Sequence, residues 1–177
     1  MCYKVGMGEW NDAKKFKNKF EISYEDFMLA RFLPMLGVIQ KFISEFGEEK
    51  TLQLVAEYIN DLAIAQINQS SNKKQIENFA QFKIVIMSMF NTEFMKNATT
   101  FEIIKDTAEK LELRFRKCLW AKTFNQLGFD GEQGYRTACR ADNSIANALH
   151  PNVMLTQTST LMQGDEFCSL IYTWRKD

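Results

Sequence analysis

The chain has 177 residues, of which 46 % are hydrophobic and 25 % are charged, a composition typical of a globular domain with a core. Lysine plus arginine equals aspartate plus glutamate at 22 each, so no excess of positive charge indicates a nucleic-acid partner or an anionic membrane surface. No apolar run approaches the roughly 20 residues that span a bilayer, and the first residues lack the order of a secretory signal. We therefore expect one cytoplasmic domain, residues 1–177, with reduced cysteines.

The first half, residues 1–97, is predicted to be mainly helical. Its first 20 residues show no clear period. The spacing Ser23-x-x-Asp26 is that of a capping box and predicts the start of a helix, which Gly47 ends as a C-terminal cap. Pro34 lies inside this segment and predicts either a kink or a later start.

Two more long helices follow, at about 48–68 and 73–96, where apolar residues recur at spacings of three and four. The end of the third helix is rich in methionine, and thioethers suit either a packed core or a ligand cavity. The residues predicted to face inward in the three helices are Phe32, Leu36, Ile39, Ile43, Phe46, Leu52, Val55, Ile59, Leu62, Ile76, Phe79, Ile86 and Phe90.

The second half, residues 98–177, reads as hairpin, helix, helix and hairpin. Alternation of Leu111, Leu113 and Phe115 with charged residues predicts a strand with one covered face. The predicted segments are strands 99–106 and 110–117, a short helix to Gly128, a helix at about 131–149, and strands 153–161 and 166–174. The predicted fold class is α+β, in which a layer of about three long helices and two further helices accompany an antiparallel sheet of about four strands.

The residues that suit chemistry are concentrated between Cys118 and Cys168. Cys118 stands where a strand gives way to a helix, and free amides at a helix start lower a thiol pKa, which suits a nucleophile or metal ligand. Cys139 and Asp142 are neighbours on one helix face. Because Asp142 shares an apolar stripe, it needs a partner: an arginine, a hydrogen-bonding network, a metal or a cationic ligand. A buried structural cysteine and an internal salt bridge are the alternatives.

The remaining candidates lie further along. His150 is the only histidine, and its place before Pro151 also suits a partner for the helix dipole. Asp165 belongs to a Gly-Asp turn ahead of Cys168, and turn formation explains that pair by itself. Three cysteines and His150 are ligand types that zinc accepts. No C-x2-C pair is present, so a zinc site would form only if the fold brought all four residues together.

Part of the chain resembles the C-terminal half of the L-2-amino-thiazoline-4-carboxylic acid hydrolase family, through the runs CLWAKTFNQLG, CRAD and LHPNVMLTQTSTLMQGDEFC. The matching positions are Cys118, Cys139, Asp142, His150-Pro151, Thr160-Leu161, Gly164-Asp165 and Cys168. The resemblance implies a hydrolase that opens the 2-aminothiazoline-4-carboxylate ring to N-carbamoyl-L-cysteine. One departure is Ser169-Leu170-Ile171, where family members often carry an acidic residue, an aromatic residue and an arginine.

The resemblance also implies roles for individual residues. Asp142 would pair with the amidine-like nitrogens and activate water, while Cys118 or Cys139 would attack the ring carbon or bind a metal. Either Arg136 or Arg140 would hold the substrate carboxylate. The implied catalytic residues are Cys118, Cys139, Asp142 and Cys168, and the implied substrate-binding residues are Arg136, Arg140, His150 and Asp165.

Two other interpretations stay open. The cysteines and Asp142 would line the pocket of a non-catalytic small-molecule or metal-binding module, which resembles in outline the vinyl-reductase-type sensor domains. Alternatively, the chain forms a helical homodimer through its Phe- and Met-rich helices, and the cysteines are simply buried. Thiol reactivity and metal content separate these interpretations from a covalent enzyme.

Overall fold

The computed structural model describes residues 22–69, 76–129 and 131–175. The predictions for residues 1–20, and most of the turn predicted at 69–72, lie outside these ranges. The helices are α1 (Tyr24–Phe46), α2 (Glu48–Gln69), α3 (Phe79–Phe90), α4 (Glu93–Ala98), α5 (Leu119–Gln126), α6 (Gly131–Gly134) and α7 (Ala141–Leu149). The strands are β1 (Thr99–Asp106), β2 (Lys110–Cys118), β3 (Val153–Gln157) and β4 (Cys168–Trp174).

The four strands form one antiparallel sheet in the order β1-β2-β4-β3. The inward face of β2 is buried as its alternating sequence predicts, with Leu111, Leu113 and Phe115 at most 5 % exposed. Helices α3 and α7 pack on this face, while α1, α2 and α5 enclose a second apolar cluster. The predicted α+β class and the sheet of four strands are confirmed.

The ends of α1 agree with the capping signals. The Ser23 hydroxyl accepts a hydrogen bond from the Asp26 amide at 3.0 Å, and Gly47 adopts a positive φ of 84°. The helix continues through Pro34. Two inward predictions are wrong, because Phe46 is 61 % exposed and Leu62 in α2 is 42 % exposed.

Helix α1 contradicts the expectation that no apolar run of the chain is long enough to span a bilayer. Over an 18-residue window its mean hydropathy is 1.3, so its length and composition alone would allow it to cross a membrane. Only 17 % of that window is buried in this fold. Its exposed apolar residues include Leu33, Val38 and Phe42.

The predicted third helix, 73–96, is instead two helices, α3 and α4. Asn91 ends α3, and the Thr92 hydroxyl accepts a hydrogen bond from the Met95 amide at the start of α4. Short polar side chains compete with the helical backbone bonds and so favour a break at this point. The predicted last strands are also too long, because Thr160 caps a 3₁₀ turn at Leu161–Gln163 between β3 and β4.

The predicted helix 131–149 contains an irregular turn. A π-helical turn at Tyr135–Cys139 separates α6 from α7, and the Arg140 amide donates to the Tyr135 carbonyl at 2.9 Å. A π turn accommodates one extra residue and therefore rotates the residues around it relative to a regular helix. It consequently fixes the directions of Cys139 and Asp142.

Gly134, at the start of the π turn, has no room for a side chain. A Cβ atom at this position would lie 2.5 Å from Met162 Sδ and 2.7 Å from the Phe129 carbonyl oxygen. Gly134→Ala is therefore expected to lower the free energy of unfolding by about 1–3 kcal/mol, measured by urea denaturation. Gly37→Ala is the matched control: its Cβ meets nothing within 4 Å, so a gain of up to about 1 kcal/mol is expected. Equal effects of the two substitutions would contradict this account of Gly134.

Candidate functional site

A cavity of about 410 Å³ lies where the two apolar clusters meet, between α1, the sheet and the helices around the π turn. All four predicted catalytic residues line it: Cys118, Cys139, Asp142 and Cys168. Cys118 comes from the end of β2 and Cys168 from the start of β4, while the other two come from the π turn and α7. The fold thus brings together residues that are up to 50 positions apart in the sequence.

Asp142 is the only acidic residue of the cavity wall among the described residues. Its Oδ2 atom accepts a hydrogen bond from Gln157 Nε2 at 3.1 Å, and the Tyr135 hydroxyl donates to Gln157 Oε1 at 3.3 Å. Protein surrounds the carboxyl group, and Asp142 is one of the residues that line the cavity. Burial raises the pKa of Asp142 from 3.8 to about 7, although the bond from Gln157 acts in the opposite direction.

The three thiols of the cavity are protonated at neutral pH. Burial raises the pKa of Cys118, and it does so despite the Trp120 and Ala121 amides, which favour the thiolate. The expectation of a lowered pKa at this helix start is therefore wrong, because loss of solvation outweighs the amides.

The other two thiols are shifted in the same direction. Burial raises the pKa of Cys168 to about 11, although the Leu161 amide donates to its Sγ atom at 3.1 Å. The pKa of Cys139 rises further, first through burial and then through the nearby charge of Asp142. None of these environments favours a thiolate nucleophile at neutral pH.

Within the described ranges, no group of three or more His, Cys, Asp or Glu side chains is arranged to hold a metal ion. The set considered for zinc from the sequence is not assembled, because His150 lies away from the thiols. Its ring stacks on Trp174 at 4.4 Å between centroids, and Nδ1 accepts from the Asn152 amide at 3.1 Å.

The four predicted substrate-binding residues do not line the cavity. Arg136 is held by Glu49, whose two carboxylate oxygens accept its guanidinium N–H groups at 2.6 and 3.0 Å. Arg140 is exposed. Asp165 completes its turn, since its Oδ2 atom accepts from the Thr160 amide at 2.7 Å. A substrate-binding role for these residues and His150 stays a prediction.

Sequence reasoning missed Gln157, the only side chain that hydrogen-bonds to Asp142 in the described chain. Its only signal in the sequence is a polar residue at the end of a strand, which is common and does not indicate a specific role. The Met-rich segment contributes two residues to the cavity wall, Met89 and Met95. Met87 packs in the core instead.

The family model described as L-2-amino-thiazoline-4-carboxylic acid hydrolase matches residues 28–172. The chain belongs to this family. The match extends the resemblance of the C-terminal half to most of the chain, so the helical first half belongs to the hydrolase family too. No curated protein matches the chain.

One solved structure shows the same fold in a sensory domain. The phenol-responsive sensory domain of the transcription activator PoxR, with phenol, is 8 % identical, with a TM-score of 0.52 over 80 % of this chain and 73 % of that one. The Fe(II) unliganded H-NOX protein from K. algicida is 10 % identical, with a TM-score of 0.46 over 93 % and 92 % of the two chains. At such identities the likeness to PoxR concerns the fold alone.

The raised pKa values of the three thiols predict that this member of the hydrolase family is alkylated slowly. At about pH 7.5, iodoacetamide should modify Cys118, Cys139 and Cys168 of the folded protein at least roughly tenfold more slowly than it modifies free cysteine. Peptide mapping by mass spectrometry measures each site separately. The urea-unfolded chain is the control and should react at every cysteine. A fast reaction at Cys118 alone would instead indicate an activated nucleophile.

Proposed function

We propose that this chain binds a small, mostly apolar organic molecule in the cavity and that Asp142 anchors the polar end of the ligand. One observation carries the proposal: a partly open cavity of about 410 Å³ is lined by apolar side chains and, among the described residues, by a single carboxylate. Ligand sites of this size are typically apolar and use a few placed polar groups to orient their ligand. The membership in a hydrolase family is compatible with this role, since one fold and family supports different activities.

The composition of the wall supports the proposal. Most of its residues are aromatic, aliphatic or methionine side chains, such as Phe90, Trp120 and Met89. Gln157 holds Asp142 in place, so the polar contact has a fixed position at one end of an apolar space. The PoxR sensory domain, which shares the fold, is described as phenol-responsive, and this makes phenol a reasonable first probe.

Isothermal titration calorimetry with phenol, benzamide and benzamidine tests the proposal. We expect saturable binding of at least one probe with one site per chain. Ligand at about 100 times its dissociation constant should stabilise the fold by about 2.7 kcal/mol. Absence of both heat and stabilisation for all three probes would contradict a small-molecule site.

Hydrolysis is a second candidate, favoured by the pKa of about 7 at Asp142, which suits a general base at neutral pH. Water would add to the ring carbon between nitrogen and sulfur of a 2-aminothiazoline, and Asp142 would take the proton. The carbon–sulfur bond would then break and the sulfur would receive a proton. Because the cavity thiols are protonated, attack by water suits this site better than attack by cysteine.

The hydrolysis candidate is tested by incubating the protein with 2-aminothiazoline-4-carboxylate and measuring N-carbamoyl-L-cysteine by mass spectrometry. Turnover that Asp142→Asn abolishes, while Asp61→Asn on the exposed side of α2 leaves it unchanged, would support the candidate. If the protein binds the probes above but forms no product, the hydrolysis candidate is wrong and the binding function stands.

A further inference from the structure

The cavity wall has one formal charge, and it is negative. Besides Asp142, the described residues that line the cavity include no arginine, lysine, histidine or glutamate. Arg136 is engaged by Glu49, and Arg140 is exposed. An anionic ligand with no cationic group of its own would therefore lie close to a second negative charge without a cation to compensate it, which is unfavourable in a mostly apolar site.

The threonine hydroxyl groups of the wall do not offer free donors to a ligand. Three threonines line the cavity, and each hydroxyl hydrogen is used within the protein. Thr99 donates to the Met95 carbonyl at 2.8 Å, Thr137 donates to the Gln133 carbonyl at 2.7 Å, and Thr160 donates to Gln163 Oε1 at 3.0 Å. One N–H of the Gln157 amide donates to Asp142. The three threonines can therefore meet a ligand only as hydrogen-bond acceptors.

Aromatic rings make up much of the remaining wall. The rings that line the cavity are those of Phe32, Phe90, Phe115, Trp120 and Tyr172. The faces of such rings attract cations, and the attraction is larger where the cation has lost its water. A carboxylate among aromatic rings is therefore an environment in which an organic cation is stabilised twice, by charge pairing and by the rings.

We propose that the cavity selects a small organic cation, an amine or a planar amidine on an apolar body, in preference to neutral or anionic molecules of the same shape. This inference rests on the proposed binding function and specifies its ligand class. The nitrogen of the ligand would donate to the Asp142 carboxylate, while the apolar body would contact aromatic rings of the wall.

Three probes of nearly the same shape test the selection: benzamidine, which is cationic, benzamide, which is neutral, and benzoate, which is anionic. Their dissociation constants are measured by calorimetry at about pH 8, where Asp142 is ionised. Benzamidine should bind at least roughly tenfold more tightly than benzamide, and benzoate should bind most weakly. In Asp142→Asn the advantage of benzamidine over benzamide should disappear, while benzamide still binds.

The outcomes separate this inference from the binding function. If benzamide or benzoate binds as tightly as benzamidine, the selection for cations is wrong and the binding site stands. If benzamidine keeps its advantage in Asp142→Asn, the selection does not come from Asp142 and the inference is overturned. If none of the three probes, nor phenol, binds to the wild-type protein, the binding function itself fails. Circular dichroism of the variant establishes that it is folded.

Discussion

Asp142→Asn is expected to stabilise the protein at about pH 8 by up to about 4 kcal/mol and to have little effect near pH 4. The reason is the pKa of Asp142, which is 3.8 when solvated and about 7 in the fold. Between these values the folded protein holds a proton that the unfolded chain has lost. Wild-type stability from this group therefore falls as pH rises from about 4 to 7, and asparagine removes that loss because it carries no charge.

Urea denaturation of the wild type and the variant at several pH values measures this difference. Asp61→Asn on the exposed side of α2 is the matched control, and its effect should not change over the same pH range. A difference between Asp142→Asn and wild type that stays constant with pH would contradict a buried carboxyl group that titrates near neutral pH.

Ala138→Phe is expected to weaken phenol binding by at least roughly tenfold while the protein still folds. Ala138 lies in the π turn, and its side chain lines the cavity. A phenyl group at this position would occupy space that a ligand needs, with an overpacking penalty of about 1–3 kcal/mol at most. Calorimetry with phenol measures the affinity, and thermal unfolding reports the fold.

Ala65→Phe is the control for Ala138→Phe, because Ala65 is exposed on α2 and is not part of the cavity wall. Its phenol affinity should equal that of the wild type. Undiminished binding by a folded Ala138→Phe protein would show that phenol binds elsewhere on the chain, and the cavity would lose its assigned role.

Local patterns were sufficient for much of the fold. The covered face of β2 follows from strict alternation, and the ends of α1 follow from Ser23 and Gly47. The break at Asn91 was missed because single polar residues also occur inside helices. The π turn was missed because the apolar spacing of residues 131–149 also fits a regular helix, and no residue in it marks the extra position.

The sequence predicted which residues line the candidate site better than it predicted their pKa values and ion pairs. Periodicity placed Asp142 on an apolar stripe, and the structure places Cys118, Cys139 and Cys168 around the same cavity. The direction of the Cys118 pKa depends on how completely the surrounding chain excludes water, which its neighbours in sequence do not determine. The partner of Arg136 is 87 positions away, so its ion pair with Glu49 had no local signal.

A crystal of the protein soaked in phenol would show whether the cavity next to Asp142 binds a small molecule. We expect electron density for one phenol molecule inside the cavity, with its hydroxyl within about 3 Å of an Asp142 carboxylate oxygen. Phenol seen only on the outer surface, with the cavity closed by its own side chains, would contradict this expectation.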